Sequence, residues 1–369
     1  MKNTLACFNG TKNIYKLVSE EHKIADCVEQ NYNVLLLQNG YAKLYPENTS
    51  FNLNEEEFNY LYSLGNDACI EISANGRIET VLGKKYDNTL YITDKCNSNC
   101  LMCPMAEPVQ RNGNTVPFTI IKELIRYMPS DMEHLTITGG EPFFIKEKMF
   151  DILKDLRDCN KVWGYLLLSN GRIFANKEYC LKFASVVPED FLVGVPIHGP
   201  NPEIHDVISQ SPGSFDQTMS GIHNLLATHK VSVEIRIVVN RMNVMYLSDI
   251  AQLISEKFHA VDSVKLMGME MLGNAIVNFE KVWIPYEEAF LYMKPAIDYL
   301  VKKTIDVAIY NFPLCFIDKS YWHLCANSIT EYKIKYYDEC ALCCEKAACG
   351  GIFTGTDKYL KGKVKPIIQ

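Results

Sequence analysis

The sequence predicts an α/β protein built on an open (β/α)6 partial barrel, with a small α+β module before it and a cysteine-rich extension after it. Three observations lead there. Apolar runs at 90–93, 134–138, 162–168, 191–197, 232–239 and 263–267 alternate with helix-patterned stretches at 119–128, 146–158, 215–229, 246–258 and 286–301. Near-continuous apolar strands divided by amphipathic helices mean a parallel sheet covered by helices, and six such units are too few to close an eight-stranded barrel. Finally, the cysteines cluster at two places, 96–103 and 315–349.

The composition sets bounds. A chain of 369 residues, 48% hydrophobic and 22% charged, has the make-up of a soluble globular protein with one large core and smaller modules. A net charge of −7 argues against a nucleic-acid binder that works through a broad basic surface. No run of about eighteen apolar residues is present, and the opening MKNTLACFNG lacks the apolar core of a signal peptide. The expectation is a cytoplasmic protein with no membrane partner. Disulfides do not persist in that compartment, so 14 cysteines, clustered, point to metal. Cys7, Cys27, Cys69, Cys159 and Cys180 are scattered and read as small buried hydrophobes.

Within residues 1–88, strands are expected at 34–37 and 69–72, and Asn75-Gly76 makes a hairpin turn before a strand at 77–81. Helical spacing over 54–64, with acidic residues in the first turn, adds one helix. This module reads either as a structural extension or as a peptide-docking unit. The barrel core is placed at 89–304 and the cysteine-rich extension at 305–369.

The stretch Cys96-Asn97-Ser98-Asn99-Cys100-Leu101-Met102-Cys103 leaves the first strand. Three thiolates can occupy three irons of a 4Fe–4S cube and leave the fourth without a protein ligand. A structural zinc site would close with a fourth ligand nearby, and the next candidate is as far on as His134. An open iron suggests a ligand that is also the substrate. This spacing resembles the Cys-x-x-x-Cys-x-x-Cys signature of the radical S-adenosylmethionine (SAM) enzymes. The resemblance implies that the open iron chelates the amino and carboxylate groups of SAM, and that an electron from the cluster cleaves it to methionine and a 5′-deoxyadenosyl radical. It also places Met102, where relatives carry an aromatic residue, near the adenine.

Further sites fall at the other strand ends. Gly139-Gly140-Glu141-Pro142 follows the second strand, and two glycines allow close backbone approach while Glu141 can accept from an amine. It resembles the motif that holds the SAM amino group. Ser169-Asn170-Gly171 reads either as a capping turn or, by the same resemblance, as a contact to the SAM ribose or carboxylate. Arg236 interrupts the fifth strand, and a buried arginine needs an anion: either the SAM carboxylate or an internal acid. Met267-Gly268-Met269-Glu270 resembles the edge that meets adenine. The stretch from Ile197 through His205 to Phe215 resembles a loop and helix start of peptide-modifying relatives. There His205 reads as structural, while His198 is expected to face the cleft and act on substrate.

Cys340-x-x-Cys343 and Cys349 resemble part of the SPASM module, which carries auxiliary clusters in peptide-modifying radical SAM enzymes. The pattern is truncated, since Phe353 stands where a further cysteine belongs. One auxiliary 4Fe–4S cluster is expected on Cys315, Cys340, Cys343 and Cys349, with Cys325 and Cys344 as alternates. Zinc on the same four thiolates is the rival, because the sequence does not separate the two. Segments 311–315, 318–322 and 349–353 resemble the radical SAM maturases of His-Xaa-Ser systems (HxsC). This implies a ribosomally made precursor peptide as substrate, a reductant such as flavodoxin or ferredoxin, and a companion maturase. A radical SAM enzyme acting on a small metabolite or RNA is the alternative, and a non-catalytic metal-binding protein the reading from another class.

Overall fold

The computed structural model describes residues 4–85 and 88–368. The amino-terminal module is a six-stranded sheet in the order β4-β3-β2-β1-β5-β6. Its strands are β1 (Asn13–Val18), β2 (Val34–Gln38), β3 (Tyr41–Tyr45), β4 (Thr49–Asn52), β5 (Cys69–Ile72) and β6 (Ile78–Leu82). β1 and β2 run parallel, joined through α1 (His22–Glu29), and every other pair is antiparallel. Helix α2 (Glu55–Leu64) starts with a capping box. Asn54 accepts from the Glu57 N–H, and Glu57 accepts in return from the Asn54 N–H. The hairpin turn needs its glycine. Gly76 has φ +79°, and a Cβ there would meet the Leu5 carbonyl oxygen at 2.3 Å.

The module is not hung on a free linker. Ile14, Cys69 and Leu82 share one apolar core with the barrel. Arg126 lies over the Tyr32 ring at 4.7 Å, and the Tyr127 hydroxyl accepts from the Asn33 N–H at 2.7 Å.

The barrel is an eight-stranded sheet, parallel at every pairing and open at its edges, in the order β14-β13-β12-β11-β10-β9-β8-β7. The six expected strands are β7 (Thr89–Tyr91), β8 (Met132–Thr138), β9 (Val162–Leu168), β10 (Phe191–Pro196), β11 (Ser232–Val238) and β12 (Ser263–Met267). Two more, β13 (Asp306–Tyr310) and β14 (Cys325–Ala326), extend the sheet past residue 304, where the sequence reading ended the core. Between the strands lie α3 (Glu107–Asn112), α4 (Phe118–Tyr127), α5 (Lys148–Cys159), α6 (Lys177–Val186), α7 (Pro202–Ser209), α8 (Ser214–Thr228), α9 (Leu247–Lys257), α10 (Gly273–Val277), α11 (Phe279–Val282) and α12 (Tyr286–Lys302).

The two faces of this sheet differ. Leu90, Ile137, Leu167, Val193, Ile235 and Ile309 are buried, in one core with Ile125, Leu153, Phe183 and Ile250 of the helices. On the alternate positions Thr136, Leu166, Arg236, Lys265 and Tyr310 are only partly buried. Side chains alternate across a strand, so helices cover one face and the other lines an open lumen.

The tail closes on a two-stranded pair, β15 (Ile334–Lys335) with β16 (Ile352–Phe353), followed by α13 (Asp357–Leu360). Leu360 is fully buried, and Tyr359 stacks on Phe279 at 4.8 Å. The buried Thr356 hydroxyl donates to the Met269 carbonyl at 3.0 Å and accepts from the Met271 N–H at 3.2 Å. The tail thereby docks on the loop that leaves β12. No helix among the described residues is long and apolar enough to cross a membrane.

Candidate functional site

Cys96, Cys100 and Cys103 lie on the loop leaving β7, each partly buried. Burial pushes the Cys96 thiol up to about 11 and raises Cys100 and Cys103 as well. Each sulfur has a nitrogen beside it. The Ser98 N–H donates to Cys96 Sγ and the Met105 N–H to Cys103 Sγ, both at 3.4 Å, while His198 Nε2 stands 3.9 Å from Cys100 Sγ. Thiolate ligands need such donors once metal is bound. Among the described residues no three of His, Cys, Asp or Glu converge on a single-ion site. A cube puts each sulfur on a different iron, so this donor set fits a cluster better than a lone ion.

The loop is held from three sides. Arg172 donates to the Asn97 carbonyl at 2.8 Å and to the Ser98 hydroxyl at 2.9 Å, while Asn170 donates to Asn97 Oδ1 at 2.6 Å. The end of α7 accepts from the loop, Asn99 N–H to Ser209 and Leu101 N–H to Ile208. From α10, Asn274 donates to Asn99 Oδ1 and to the Cys100 carbonyl; Asn278 donates to the Leu101 carbonyl. Arg172, Asn274 and Asn278 escaped the sequence reading. They act across 74 to 177 residues, and nothing local marks them.

Gly139 and Gly140 make room for backbone. A Cβ on Gly139 would meet the Thr93 carbonyl oxygen at 2.5 Å, and one on Gly140 the Lys95 carbonyl oxygen at 2.4 Å. The Gly140 and Glu141 N–H groups donate to those same two carbonyls. The glycines thus press the β8 end onto the segment that leads into Cys96. Glu141 is 3% exposed, and its carboxylate accepts from the Ser169 hydroxyl and the N–H groups of Asn170 and Phe143. Burial raises its carboxyl above the usual range against the pull of these bonds. Glu141 therefore ties the end of β8 to that of β9, and Pro142 opens a short 3-10 turn behind it.

The other expected contacts spread around the lumen. Arg236 is paired with Glu234, which is 2% exposed, so an internal acid answers this arginine. Gly194, beside them in register, leaves the space they fill, since a Cβ there would meet Arg236 Nε at 3.0 Å and Glu234 Oε1 at 3.1 Å. Met267 lies on the lumen side of β12, partly buried, whereas Met102 is packed in the apolar core. His198 does not face the cleft: it is 5% exposed and turned toward Cys100. Burial and the neighbouring His205 ring lower its proton affinity. His205 accepts the His198 backbone N–H at 3.2 Å, a structural part.

In the tail, Cys315, Cys340, Cys343 and Cys349 line one pocket. Lys335, Lys346 and Lys365 also line it, and Cys325 and Cys344 do not. The Ile367 N–H donates to Cys343 Sγ at 3.4 Å, and burial pushes the Cys315 thiol up to about 11. The segment after β12 bonds to both the three-thiol loop and the tail. Ala275 N–H donates to the Cys103 carbonyl at one end, and Met269 and Met271 bond Thr356 at the other.

Fold and loop together define a parallel α/β core whose three-thiol loop sits at the carboxyl end of its first strand. Residues 90–254 match the family model of the Radical SAM superfamily. Two curated relatives share the segment. The antilisterial bacteriocin subtilosin biosynthesis protein AlbA of Bacillus subtilis (strain 168) is 26% identical over 164 residues, 44% of this chain and 35% of that protein. The GTP 3′,8-cyclase of Petrotoga mobilis is 24% identical over 151 residues, 40% of this chain and 45% of the cyclase. The chain thus matches less than half the length of either relative. Among solved structures, a radical SAM methyltransferase from Sphaerobacter thermophilus resembles it with TM-score 0.46 and 13% identity, covering 66% of this chain and 73% of that one. The matched segment contains both the three-thiol loop and the Gly139–Glu141 turn.

Proposed function

We propose that this protein is a radical SAM enzyme that modifies a ribosomally made peptide and holds a second 4Fe–4S cluster in its carboxyl-terminal pocket, in the manner of the HxsC-like maturases. The observation that carries this reading is the single pocket that four thiols line together. Zinc on the same four thiolates is the rival, and metal analysis separates the two. The lysines around the cavity suit an anionic, four-thiolate cluster. The relative AlbA, named for bacteriocin biosynthesis, supports a peptide substrate.

Cys96, Cys100 and Cys103 would hold the first cluster and leave one iron for the amino and carboxylate groups of SAM. Bound there, the cofactor pair supplies the hydrogen-abstracting radical. The Gly139–Glu141 edge, Ser169 and Asn170 would receive the polar end of SAM, and Met267 the adenine side. The lumen walls keep water from the reacting centre. The reductant, on this reading, is a flavodoxin or ferredoxin, and a companion maturase shares the peptide.

The test is metal content together with product. Reconstituted protein is expected to hold about eight irons per chain, as two cubes. Co-expression with a peptide encoded beside the gene should change that peptide's mass. Four irons plus one zinc reject the second cluster. An unchanged peptide alongside turnover of GTP rejects the peptide substrate.

A further inference from the structure

We propose that His198 is a positioning residue of the cluster site, donating from Nε2–H to the Cys100 sulfur and so setting the reduction potential of the metal group bound there. The proposal rests on the reading that the triad carries a cluster. His198 follows the end of β10 and is 5% exposed. Its Nε2 stands 3.9 Å from Cys100 Sγ, and its Nδ1 is buried with no hydrogen-bond partner. A metal-bound thiolate has lone pairs only, so the ring nitrogen beside it must carry the proton. Nδ1 is then an acceptor. A buried acceptor without a partner is better tolerated than a buried N–H without one, which agrees with the arrangement observed.

The neighbours point the same way. Cys96 and Cys103 each receive a backbone N–H from the residue two positions on, Ser98 and Met105. Beside Cys100 a side-chain nitrogen stands as well, His198 Nε2. The ring is held in place by its own backbone, whose N–H bonds His205 Nδ1 at 3.2 Å, and by the His205 ring at 5.0 Å. His198 can therefore be replaced without removing that backbone anchor. Hydrogen bonds to cluster sulfurs favour the reduced, more negative state and raise its potential. Losing this one lowers it.

The experiment is an EPR-monitored redox titration of the SAM-responsive cluster in full-length, reconstituted wild type, His198→Leu and His198→Gln. The Leu variant should show a more negative midpoint at unchanged iron content. The Gln variant, whose amide N–H reaches a similar point, should recover most of the difference. A Leu midpoint equal to wild type at full iron content overturns the proposal. A second measurement needs no variant. Wild type grown with 15N-histidine and exchanged into D2O should show nitrogen and deuteron hyperfine couplings to the reduced cluster. Their absence overturns the proposal even where His198→Leu fails to fold or loses its iron. A wild type with no SAM-responsive signal overturns the triad reading and this proposal with it, whereas a normal signal with an unmoved midpoint overturns the role of His198 alone.

Discussion

Gly140→Ala separates two reasons for a glycine at the end of β8. If the residue only lets SAM approach, the protein without SAM should not notice a methyl group. The structure gives it a different task. The added Cβ would sit 2.4 Å from the Lys95 carbonyl oxygen, 2.5 Å from that of Asp94 and 2.7 Å from the Lys95 carbonyl carbon. Real Cβ atoms do not come under 3.0 Å, so the segment must retreat about 0.6 Å at its nearest point. The obstacle is backbone, and no rotamer change relieves it. The hydrogen bonds that close the contact, Gly140 N–H to Thr93 at 2.6 Å and Glu141 N–H to Lys95 at 2.8 Å, stretch together. Overpacking typically costs about 1–3 kcal/mol, and weakening two buried backbone bonds adds about 1 kcal/mol each. The expected loss is about 3–5 kcal/mol, in the protein without SAM. Urea unfolding of anaerobic protein reads it directly, and iron retention reads the displacement of Lys95, next to Cys96. A Gly140→Ala protein as stable as wild type, with full iron but weakened SAM binding, would refute the reasoning.

Other consequences follow from the same geometry. Arg236→Ala should destabilise the fold by about 3 kcal/mol, because it strands the buried Glu234 carboxylate; the double variant Glu234→Gln/Arg236→Met should regain most of that in urea unfolding. Asp206 accepts from the N–H groups of Gly213 and Phe215 and from the Ser214 hydroxyl at the start of α8. Burial opposes ionisation there, but these bonds win and hold the carboxyl below its usual range. Its contribution is thus present above the ordinary aspartate range and lost as pH falls through the folded value. Asp206→Ala should cost about 1–2 kcal/mol at neutral pH, and its gap from wild type should close in acid, measured as midpoint against pH. Alanine at Cys340 and Cys343 should remove half the iron and stop peptide modification while some SAM cleavage survives; undiminished iron would place the second cluster elsewhere.

The triad and the Gly-Gly-Glu-Pro turn stand out in the sequence because the chemistry they resemble demands particular residues at particular spacing. The strands from β8 to β12 were legible because each is a long apolar run. β13 was harder, as Asp306-Val307-Ala308-Ile309-Tyr310 follows α12 with an acid and an alanine where the earlier strands are richer in aliphatics. β3 and β4 carry lysine, serine and asparagine near the sheet edge and gave no signal. The glycines were read as approaching a ligand, and the structure shows them approaching the chain itself. His198 was placed in the cleft because it follows a strand, yet the turn after β10 directs it at Cys100. Six tail cysteines within 35 residues fit several ligand sets by spacing, and only folding shows which four line one cavity.

The central claim is that Cys96, Cys100 and Cys103 carry the chemistry. The most direct test measures 5′-deoxyadenosine formed from SAM by reconstituted, reduced, anaerobic protein, beside a variant with alanine at all three positions. Wild type is expected to form it, and the variant to form none while keeping the iron of its tail. Equal yields from both proteins would contradict the account.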